Sequence, residues 1–254
     1  MSKPVAISGG RALVTGASSG IGAATARALA SHGVAVALAG RQLAALAAVA
    51  AATGGRAFPG DLTEPGYPAR LVADATTALG GLDIVVCNAG GGWAGPFSEM
   101  APTDIDDLID LNLRAPVHLL RAALPDLVAK GRGHLVLVGS IAGLVGVANE
   151  VVYSATKAGM TGLADAMRAE LASTGVKVSL VSPGVVDTAF FSRRNRPYGR
   201  DRPTPIPATE VADAIIDCLR FGRPEAIVPA WLTVPARIHG LAPRAYQVLA
   251  RRFP

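Results

Sequence analysis

Short apolar runs alternate with longer helix-like stretches along the chain, and this alternation limits the folds open to it. Several runs are apolar throughout, as in Leu135-Val136-Leu137-Val138, which is typical of strands buried on both faces. Strands that alternate with helices are joined by right-handed crossovers into a parallel sheet. We therefore predict one α/β domain over residues 1–254, a doubly wound parallel sheet of about seven strands with helices on both faces. The predicted strands are Arg11–Thr15, Val34–Ala39, Arg56–Pro59, Ile84–Cys87, His134–Val138, Val176–Val181 and Ala226–Val228.

The composition excludes several other classes of protein. Half of the residues are hydrophobic, 17% are charged and the mean hydropathy is +0.38, which is the opposite of a disordered chain. Cys87 and Cys218 stand apart, with no CxxC pair and no histidine cluster, which argues against a metal site and suits a reducing compartment. No apolar run reaches the roughly 18 residues of a membrane span, and the N-terminus lacks the layout of a secretory signal. We expect a cytoplasmic protein without a bound metal.

The positive charge lies in the last quarter of the chain. Residues 193–254 contain 11 arginines and 5 acidic residues, whereas the rest is close to neutral. A nucleic-acid-binding protein would combine such charge with stacking aromatic residues, and aromatics make up only 5% of this chain, so no nucleic-acid partner is predicted. The excess falls in two irregular segments, an Arg- and Pro-rich stretch at 189–207 and a basic tail at 229–254.

A glycine-rich loop, Thr15-Gly16-Ala17-Ser18-Ser19-Gly20-Ile21-Gly22, follows the first predicted strand and opens a predicted helix. Glycines let the backbone turn tightly and approach a ligand closely. The free N–H groups at the start of the helix favour a pyrophosphate. The loop therefore predicts a dinucleotide site of the Rossmann type, although a glycine turn that serves packing alone is the alternative. The residues expected to contact the phosphates are Gly16, Ser18, Ser19, Gly20, Ile21 and Gly22.

The spacing of this loop resembles the TGxxxGxG motif of the classical short-chain dehydrogenase/reductase (SDR) family. Further motifs follow in the order of that family, and the resemblance spans residues 9–190. Cys87-Asn88-Ala89-Gly90 resembles its NNAG motif, and Asp61-Leu62 stands where the family uses an aspartate to bind the adenine amino group. Pro183-Gly184 with Thr188 resembles its PGxxxT segment, whose threonine holds the nicotinamide carboxamide. The resemblance implies cofactor contacts at Asp61, Leu62, Asn88, Ala89, Gly90, Tyr153, Lys157, Pro183, Gly184, Val186 and Thr188.

The end of the second predicted strand indicates which dinucleotide is bound. An acidic residue there binds the ribose 2′-OH of NAD, whereas an arginine accommodates the 2′-phosphate of NADP. This chain has Arg41 there and no acidic residue over 34–52, and a guanidinium matches a phosphate with two hydrogen bonds. We therefore predict that NADP(H) is favoured over NAD(H), with a solvated Arg41 as the alternative. Some SDR members that prefer NADP carry a basic residue just before the second motif glycine, where this chain has Ser19.

Tyr153 and Lys157 are four residues apart on a helix predicted over 153–173, so they share a face. Ser140 ends the fifth predicted strand, at the sheet edge where ligands bind in such folds. This arrangement resembles the SDR active site, and Asn112 matches the asparagine of its four-residue set, which positions a water of the proton relay. A free tyrosine has a pKa near 10, and we expect Lys157 and the oxidised nicotinamide to lower the pKa of Tyr153. Tyr153 is then the general acid and base, and Ser140 holds the substrate oxygen.

These motifs together predict an NADP-dependent oxidoreductase that interconverts a small-molecule carbonyl and a secondary alcohol. A 3-oxoacyl thioester reductase is the alternative enzyme, because the five arginines over 193–202 suit an anionic carrier. A solvated substrate lid is the interpretation we favour for residues 189–207. A catalytically silent dinucleotide sensor is the non-enzyme alternative, and the presence of the serine, tyrosine and lysine argues against it. The resemblance also implies a homodimer or homotetramer, and for the tail at 229–254 we favour packing over contact with a membrane surface.

Overall fold

The computed structural model describes residues 5–194, 196, 198–199, 202–244 and 246. Part of the Arg- and Pro-rich stretch, including Pro197 and Arg200, and the tail beyond Tyr246 lie outside the described residues. Within the described part, nine strands are found: β1 Arg11–Thr15, β2 Ala35–Gly40, β3 Arg56–Pro59, β4 Ile84–Cys87, β5 Gly133–Val138, β6 Val176–Pro183, β7 Val186–Asp187, β8 Ile206–Pro207 and β9 Glu225–Val228.

The prediction of a seven-stranded, doubly wound parallel sheet is confirmed for the described residues. Seven strands pair in the order β3-β2-β1-β4-β5-β6-β9, and β7 and β8 form a separate two-stranded ribbon. The chain runs outward from β1 to β3 and then returns to place β4 beside β1. The point between β1 and β4 is therefore the topological switch point, where a parallel sheet leaves a crevice at the carboxyl ends of its strands.

Helices cover both faces of the sheet, and the strands alternate their side chains between two cores. Leu13 packs with the helices on one face, and its neighbours Ala12 and Val14 pack with those on the other. This alternation with period two is the direct consequence of strand geometry. The helices are α1 Gly20–Ser31, α2 Leu43–Thr53, α3 Tyr67–Leu79, α4 Pro102–Ile109, α5 Ala115–Ala129, α6 Ala142–Val145, α7 Val151–Glu170, α8 Phe190–Arg193, α9 Ala208–Phe221 and α10 Thr233–Leu241, with 3₁₀ turns at Phe97–Glu99 and Ala230–Leu232.

The seven predicted strands and the helix predicted over 153–173 agree with these bounds to within three residues. The segments at 189–207 and 229–254, which were expected to be irregular, contain α8, β8 and α10. The chain over 103–129, which has the pattern of one long helical region, is divided into α4 and α5 by a π-helical turn at Asp110–Arg114. Such a turn leaves no hydrophobic pattern of its own, because it only adds one residue to a helical turn. No helix among the described residues is long and apolar enough to cross a membrane.

Candidate active site

The glycine loop between β1 and α1 is fastened to the end of β4. The Thr15 hydroxyl donates to the Val86 carbonyl and accepts the backbone N–H of Asn88 at 3.0 Å. The Asn88 side-chain amide donates in turn to the Thr15 carbonyl at 2.9 Å. Asn88 of the Cys87-Asn88-Ala89-Gly90 segment therefore stabilises the glycine loop on the side that faces β4. These bonds fix the backbone at the switch point of the sheet.

The loop has no room for side chains at its glycines. Gly16 has a φ of +65°, and a Cβ added there would lie 2.8 Å from the Asn88 side-chain nitrogen. A Cβ on Gly22 would overlap the Gly16 carbonyl, and one on Gly20 would lie 3.0 Å from the Thr188 side chain. A backbone without Cβ atoms at these three positions can bring its N–H groups close to a ligand, as a pyrophosphate requires. The residues present therefore fit a dinucleotide.

The cleft above this loop has a volume of about 680 Å³ and joins most of the predicted site residues. Two of them do not line it, because Gly22 lies behind the loop and Asn112 is buried. The predicted residues that do line the cleft are Gly16, Ser18, Ser19, Gly20, Ile21, Arg41, Asp61, Leu62, Asn88, Ala89, Gly90, Ser140, Tyr153, Lys157, Pro183, Gly184, Val186 and Thr188.

At the end of the cleft where the adenosine is predicted to bind, Arg41 forms a salt bridge with Asp61. Their side chains approach to 3.4 Å, while the Arg41 side chain remains 68% exposed. The other Asp61 carboxylate oxygen accepts the backbone N–H and the hydroxyl of Thr63 at 2.9 and 2.8 Å. Burial raises the pKa of Asp61, but the bonds from Thr63 and the charge of Arg41 outweigh it, so that the pKa is lowered overall. Asp61 is therefore a carboxylate with both oxygens engaged, placed beside the predicted adenine position.

Ser140, Tyr153 and Lys157 meet at the carboxyl ends of β4 and β5. Ser140 follows β5 and accepts the backbone N–H of Ala142 at 3.1 Å. Tyr153 and Lys157 lie on the first two turns of α7, and the Lys157 nitrogen is 5.8 Å from the centre of the Tyr153 ring. The Lys157 nitrogen also donates to the Val138 carbonyl at 2.9 Å. A hydroxyl, a phenol and an amine thus converge where a ligand above the loop would extend.

The pKa of Tyr153 differs from the expectation drawn from its sequence neighbours. Burial raises the pKa of Tyr153 to about 12, against the hydrogen bond with Ser140, which lowers it. Glu150 raises the pKa further and Arg194 lowers it. The protein by itself therefore keeps the phenol protonated at neutral pH.

Lys157 is a buried cation with unused hydrogen-bonding capacity. Burial lowers the pKa of Lys157 to about 8, so that the amine stays largely charged at neutral pH. An ammonium has three N–H donors, and among the described residues only the Val138 carbonyl accepts one of them. A buried donor without a partner is costly, and hydroxyl groups of a bound ligand would offset that cost. This donor set fits ribose hydroxyls.

Asn112 lies in the π-helical turn and is only 1% exposed. Its side-chain oxygen accepts the Gly91 N–H at 2.8 Å, and its amide donates to the Gly91 carbonyl and to the Thr156 hydroxyl. The side chain therefore ties the segment after β4 to α7. The wider turn carries Asn112 into this position, which its sequence neighbours do not indicate.

A series of side-chain contacts connects Glu150 to Tyr153 through the segment after Thr188, and the sequence did not predict it. Arg194 pairs with Glu150 at 2.5 Å, and its side chain is only 7% exposed. The guanidinium lies 4.6 Å from the centre of the Phe191 ring, Phe191 packs edge-on against Phe190, and the Phe190 and Tyr153 rings are 5.6 Å apart. The pair joins residues 44 positions apart, so no local spacing signals it. The chain after Thr188 is thereby held against the start of α7.

Fold and cleft define an α/β oxidoreductase domain of the dinucleotide-binding class. The sequence matches the family model described as short chain dehydrogenase over residues 11–199, and the chain belongs to this family, whose members bind NAD(P). An oxidoreductase of Staphylococcus aureus named as uncharacterized is 36% identical over 211 residues, 82% of this chain and 90% of that protein. The ketoacyl reductase HetN of Nostoc is 36% identical over 231 residues, 87% of this chain and 79% of that protein.

Solved structures agree with this family assignment. A short-chain dehydrogenase from Streptomyces avermitilis aligns with a TM-score of 0.84 at 28% identity, and the alignment covers 97% of this chain and all of that one. A dehydrogenase/reductase from Sinorhizobium meliloti aligns with a TM-score of 0.74 at 28% identity, with 87% of this chain and 94% of that one covered. The chain is therefore an oxidoreductase of the SDR family.

Proposed function

We propose that this protein is an NADP-dependent oxidoreductase that interconverts a carbonyl and a secondary alcohol, with Tyr153 as general acid and base. The observation that carries the proposal is the convergence of the Ser140 hydroxyl, the Tyr153 phenol and the Lys157 amine beside the glycine loop. When bound, the nicotinamide supplies or accepts the hydride. The remaining tasks, holding the carbonyl oxygen and moving a proton, fall to side chains of this cleft.

Each of the three side chains has a role that follows from its surroundings. The Ser140 hydroxyl donates to the substrate oxygen and stabilises the negative charge that develops there. Tyr153 carries its proton at neutral pH, because burial raises its pKa to about 12, and delivers it to that oxygen in reduction. Lys157 uses its unpaired N–H donors to hold the ribose hydroxyls. In alcohol oxidation the same phenol would first have to lose its proton to act as the general base.

Preference for NADP(H) rests on the end of β2, where Arg41 stands and no acidic side chain faces the cleft on that strand. The salt bridge to Asp61 leaves most of the Arg41 side chain exposed. The guanidinium can therefore turn toward a 2′-phosphate without loss of packing. Because a phosphate accepts two parallel hydrogen bonds from arginine, it competes well with a contact of 3.4 Å.

A 3-oxoacyl thioester reductase is the second candidate, and the similarity to the ketoacyl reductase of Nostoc favours it. The arginines that suggested an anionic carrier are partly engaged, however. Arg194 is paired with Glu150, and Arg196 approaches Glu99 at 3.9 Å. We therefore favour a substrate bound mainly through the Phe190 and Phe191 side of the cleft, covered by the segment at 189–207 as a lid.

A homodimer or homotetramer is also part of the proposal. The resemblance to the SDR family implies assembly through the helices that correspond to α5 and α7. These helices carry the exposed apolar side chains of Val117, Val128 and Val151. Contacts between copies would bury them.

The decisive experiment follows NADPH and NADH absorbance with a panel of ketones and 3-oxoacyl thioesters, for the wild type and Tyr153→Phe. We expect NADPH-dependent reduction in the wild type and a loss of turnover of at least about a thousandfold in Tyr153→Phe, since general acid catalysis and orientation are both lost. NADPH affinity, measured by fluorescence titration, should change by less than about twofold, because only one hydroxyl is removed. Retained turnover in Tyr153→Phe would show that the phenol is not the general acid. A higher kcat/KM with NADH than with NADPH would contradict the NADP preference.

A further inference from the structure

Arg193 reaches from α8 across the cofactor cleft to the opposite wall. Its two terminal nitrogens donate to different partners, one to the Ser19 hydroxyl at 3.2 Å and the other to the Gln42 side-chain oxygen at 3.4 Å. Ser19 belongs to the glycine loop, and Gln42 lies just after β2. The guanidinium therefore bridges the two backbone segments that border the adenosine end of the cleft, although Arg193 is 174 positions away from Ser19.

The space between these two segments is where a ribose 2′ substituent lies in a sheet of this type, beside the end of the second strand. The segments approach closely, because a Cβ placed on Gly40 would lie 3.3 Å from the Ser18 hydroxyl. Arg41 borders the same space from the β2 side. A group bound in the cleft beside Ser18 and Gly40 would thus lie near both Arg41 and Arg193.

The charge of Arg193 is uncompensated, unlike that of its neighbours. Arg194 pairs with Glu150, and Arg196 lies 3.9 Å from Glu99. Arg193 has two neutral partners, a hydroxyl and an amide oxygen, and no carboxylate of the described residues lies within ion-pair distance of it. A guanidinium held by neutral acceptors at the border of a ligand cleft is suited to bind an anion.

We propose that Arg193 is a second cation for the 2′-phosphate of NADP(H), acting with Arg41 from the opposite side of the cleft. The inference rests on the proposed preference for NADP(H) and extends it to a residue outside the glycine loop and β2. It also accounts for the serine at position 19, because Arg193 brings a positive charge to that hydroxyl from a distant part of the chain. Since Phe190 on the same helix packs against Tyr153, a phosphate bound by Arg193 also holds α8 over the substrate end.

The test measures binding of the adenosine half of the cofactor alone, so it does not depend on turnover. Calorimetry compares 2′,5′-ADP, which carries the 2′-phosphate, with 5′-AMP, which lacks it. We expect Arg193→Ala to weaken 2′,5′-ADP about tenfold and to change 5′-AMP by less than about twofold, because a charge-assisted pair to the 2′-phosphate alone is lost. Arg193→Lys, which keeps a point charge without the two parallel donors, should lose less. The ratio of kcat/KM for NADPH to that for NADH should fall in the same order.

Arg196→Ala is the matched control, because it removes a guanidinium from the same segment and should leave the ratio of the two affinities unchanged. Arg193 is exposed, so its replacement should not alter the thermal unfolding midpoint. Equal weakening of both ligands, or of neither, in Arg193→Ala would overturn the inference while leaving the role of Arg41 intact. If wild-type protein binds 2′,5′-ADP no tighter than 5′-AMP, the NADP preference fails first and the role of Arg193 fails with it.

Discussion

The two ends of the parallel strands use their polar groups in opposite ways. Near the amino ends, polar side chains are bonded to each other or to backbone carbonyls, as in the pair of Arg11 and Asp83 and the bond from Lys130 to the Leu82 carbonyl. At the carboxyl ends, Tyr153 and Lys157 face a cleft and keep capacity for a ligand. The comparison separates polar residues that stabilise the fold from polar residues that keep hydrogen-bonding capacity for a ligand.

Arg11 and Asp83 are the clearest case at the amino ends. The guanidinium donates to both Asp83 oxygens at 2.8 and 2.9 Å, and the Arg11 backbone N–H adds a third bond. The hydrogen bond from Arg11 holds the pKa of Asp83 below its ordinary value, although burial opposes this. Because every donor on this face of the guanidinium is used, the pair links β1 to the start of β4 and offers nothing to a ligand.

The largest effect expected from this comparison is at Gly22. Replacing Gly22 by alanine places a Cβ against the Gly16 carbonyl and the Asn88 side chain, which forces the glycine loop out of shape. Dinucleotide affinity, measured by fluorescence titration with NADPH, should fall at least about a hundredfold, since small displacements of a preorganised site are costly. The variant should remain folded, as measured by its free energy of unfolding.

Gly162→Ala is the matched control for that substitution. Gly162 lies in α7, and an added Cβ there meets no atom within 4 Å. Affinity should be unchanged and the free energy of unfolding should rise by about 0.5–1 kcal/mol, because alanine is the better helix former. Equal losses of affinity in the two variants would mean that the loop is not specifically shaped by its glycines.

A smaller effect, on stability and not on binding, is expected at His134. Its Nε2 lies 2.7 Å from the Ser179 oxygen, and the Ser179 hydroxyl donates to the Arg223 carbonyl, so Nε2 carries the proton. Burial, assisted by the charge of Lys177, lowers the pKa of His134 to about 4. Between pH 6.5 and that value the unfolded chain binds a proton that the folded chain does not, so the free energy of unfolding falls as the pH falls.

This loss should amount to about 1.5 kcal/mol between pH 6.5 and pH 5, measured by urea unfolding. In His134→Gln the part of the pH dependence due to this group should disappear, and NADPH affinity at neutral pH should be kept. His118→Gln, at an exposed position, should retain the wild-type pH dependence. An unchanged acid sensitivity in His134→Gln would show that the amino ends of the strands do not limit stability in acid.

The sequence could predict the local features of the cleft but not the features that depend on how distant segments pack. The glycine loop and the strand ends are local features, so residues such as Gly16 and Asn88 could be predicted to lie at the cleft that they line. The π-helical turn around Asn112 and the pairing of Glu150 with Arg194 have no local pattern, because they depend on how distant segments meet. The direction of the Tyr153 pKa shift could not be predicted either, since burial outweighs the neighbouring charges and only coordinates give burial.

The pair of Glu150 and Arg194 is an exception at the carboxyl ends, and it gives the smallest expected effect. Both residues are largely buried and bonded to each other, as at the amino ends, yet both act on Tyr153. Glu150 raises the pKa of the phenol and Arg194 lowers it. In the proposed mechanism alcohol oxidation requires the phenolate, so kcat/KM for oxidation should rise with pH toward the pKa of Tyr153. Glu150→Gln should therefore move the rise to lower pH, and Arg194→Gln should move it to higher pH. Shifts in the same direction would mean that the pair acts only by holding the chain after Thr188 in place, as the bonded pairs at the amino ends do.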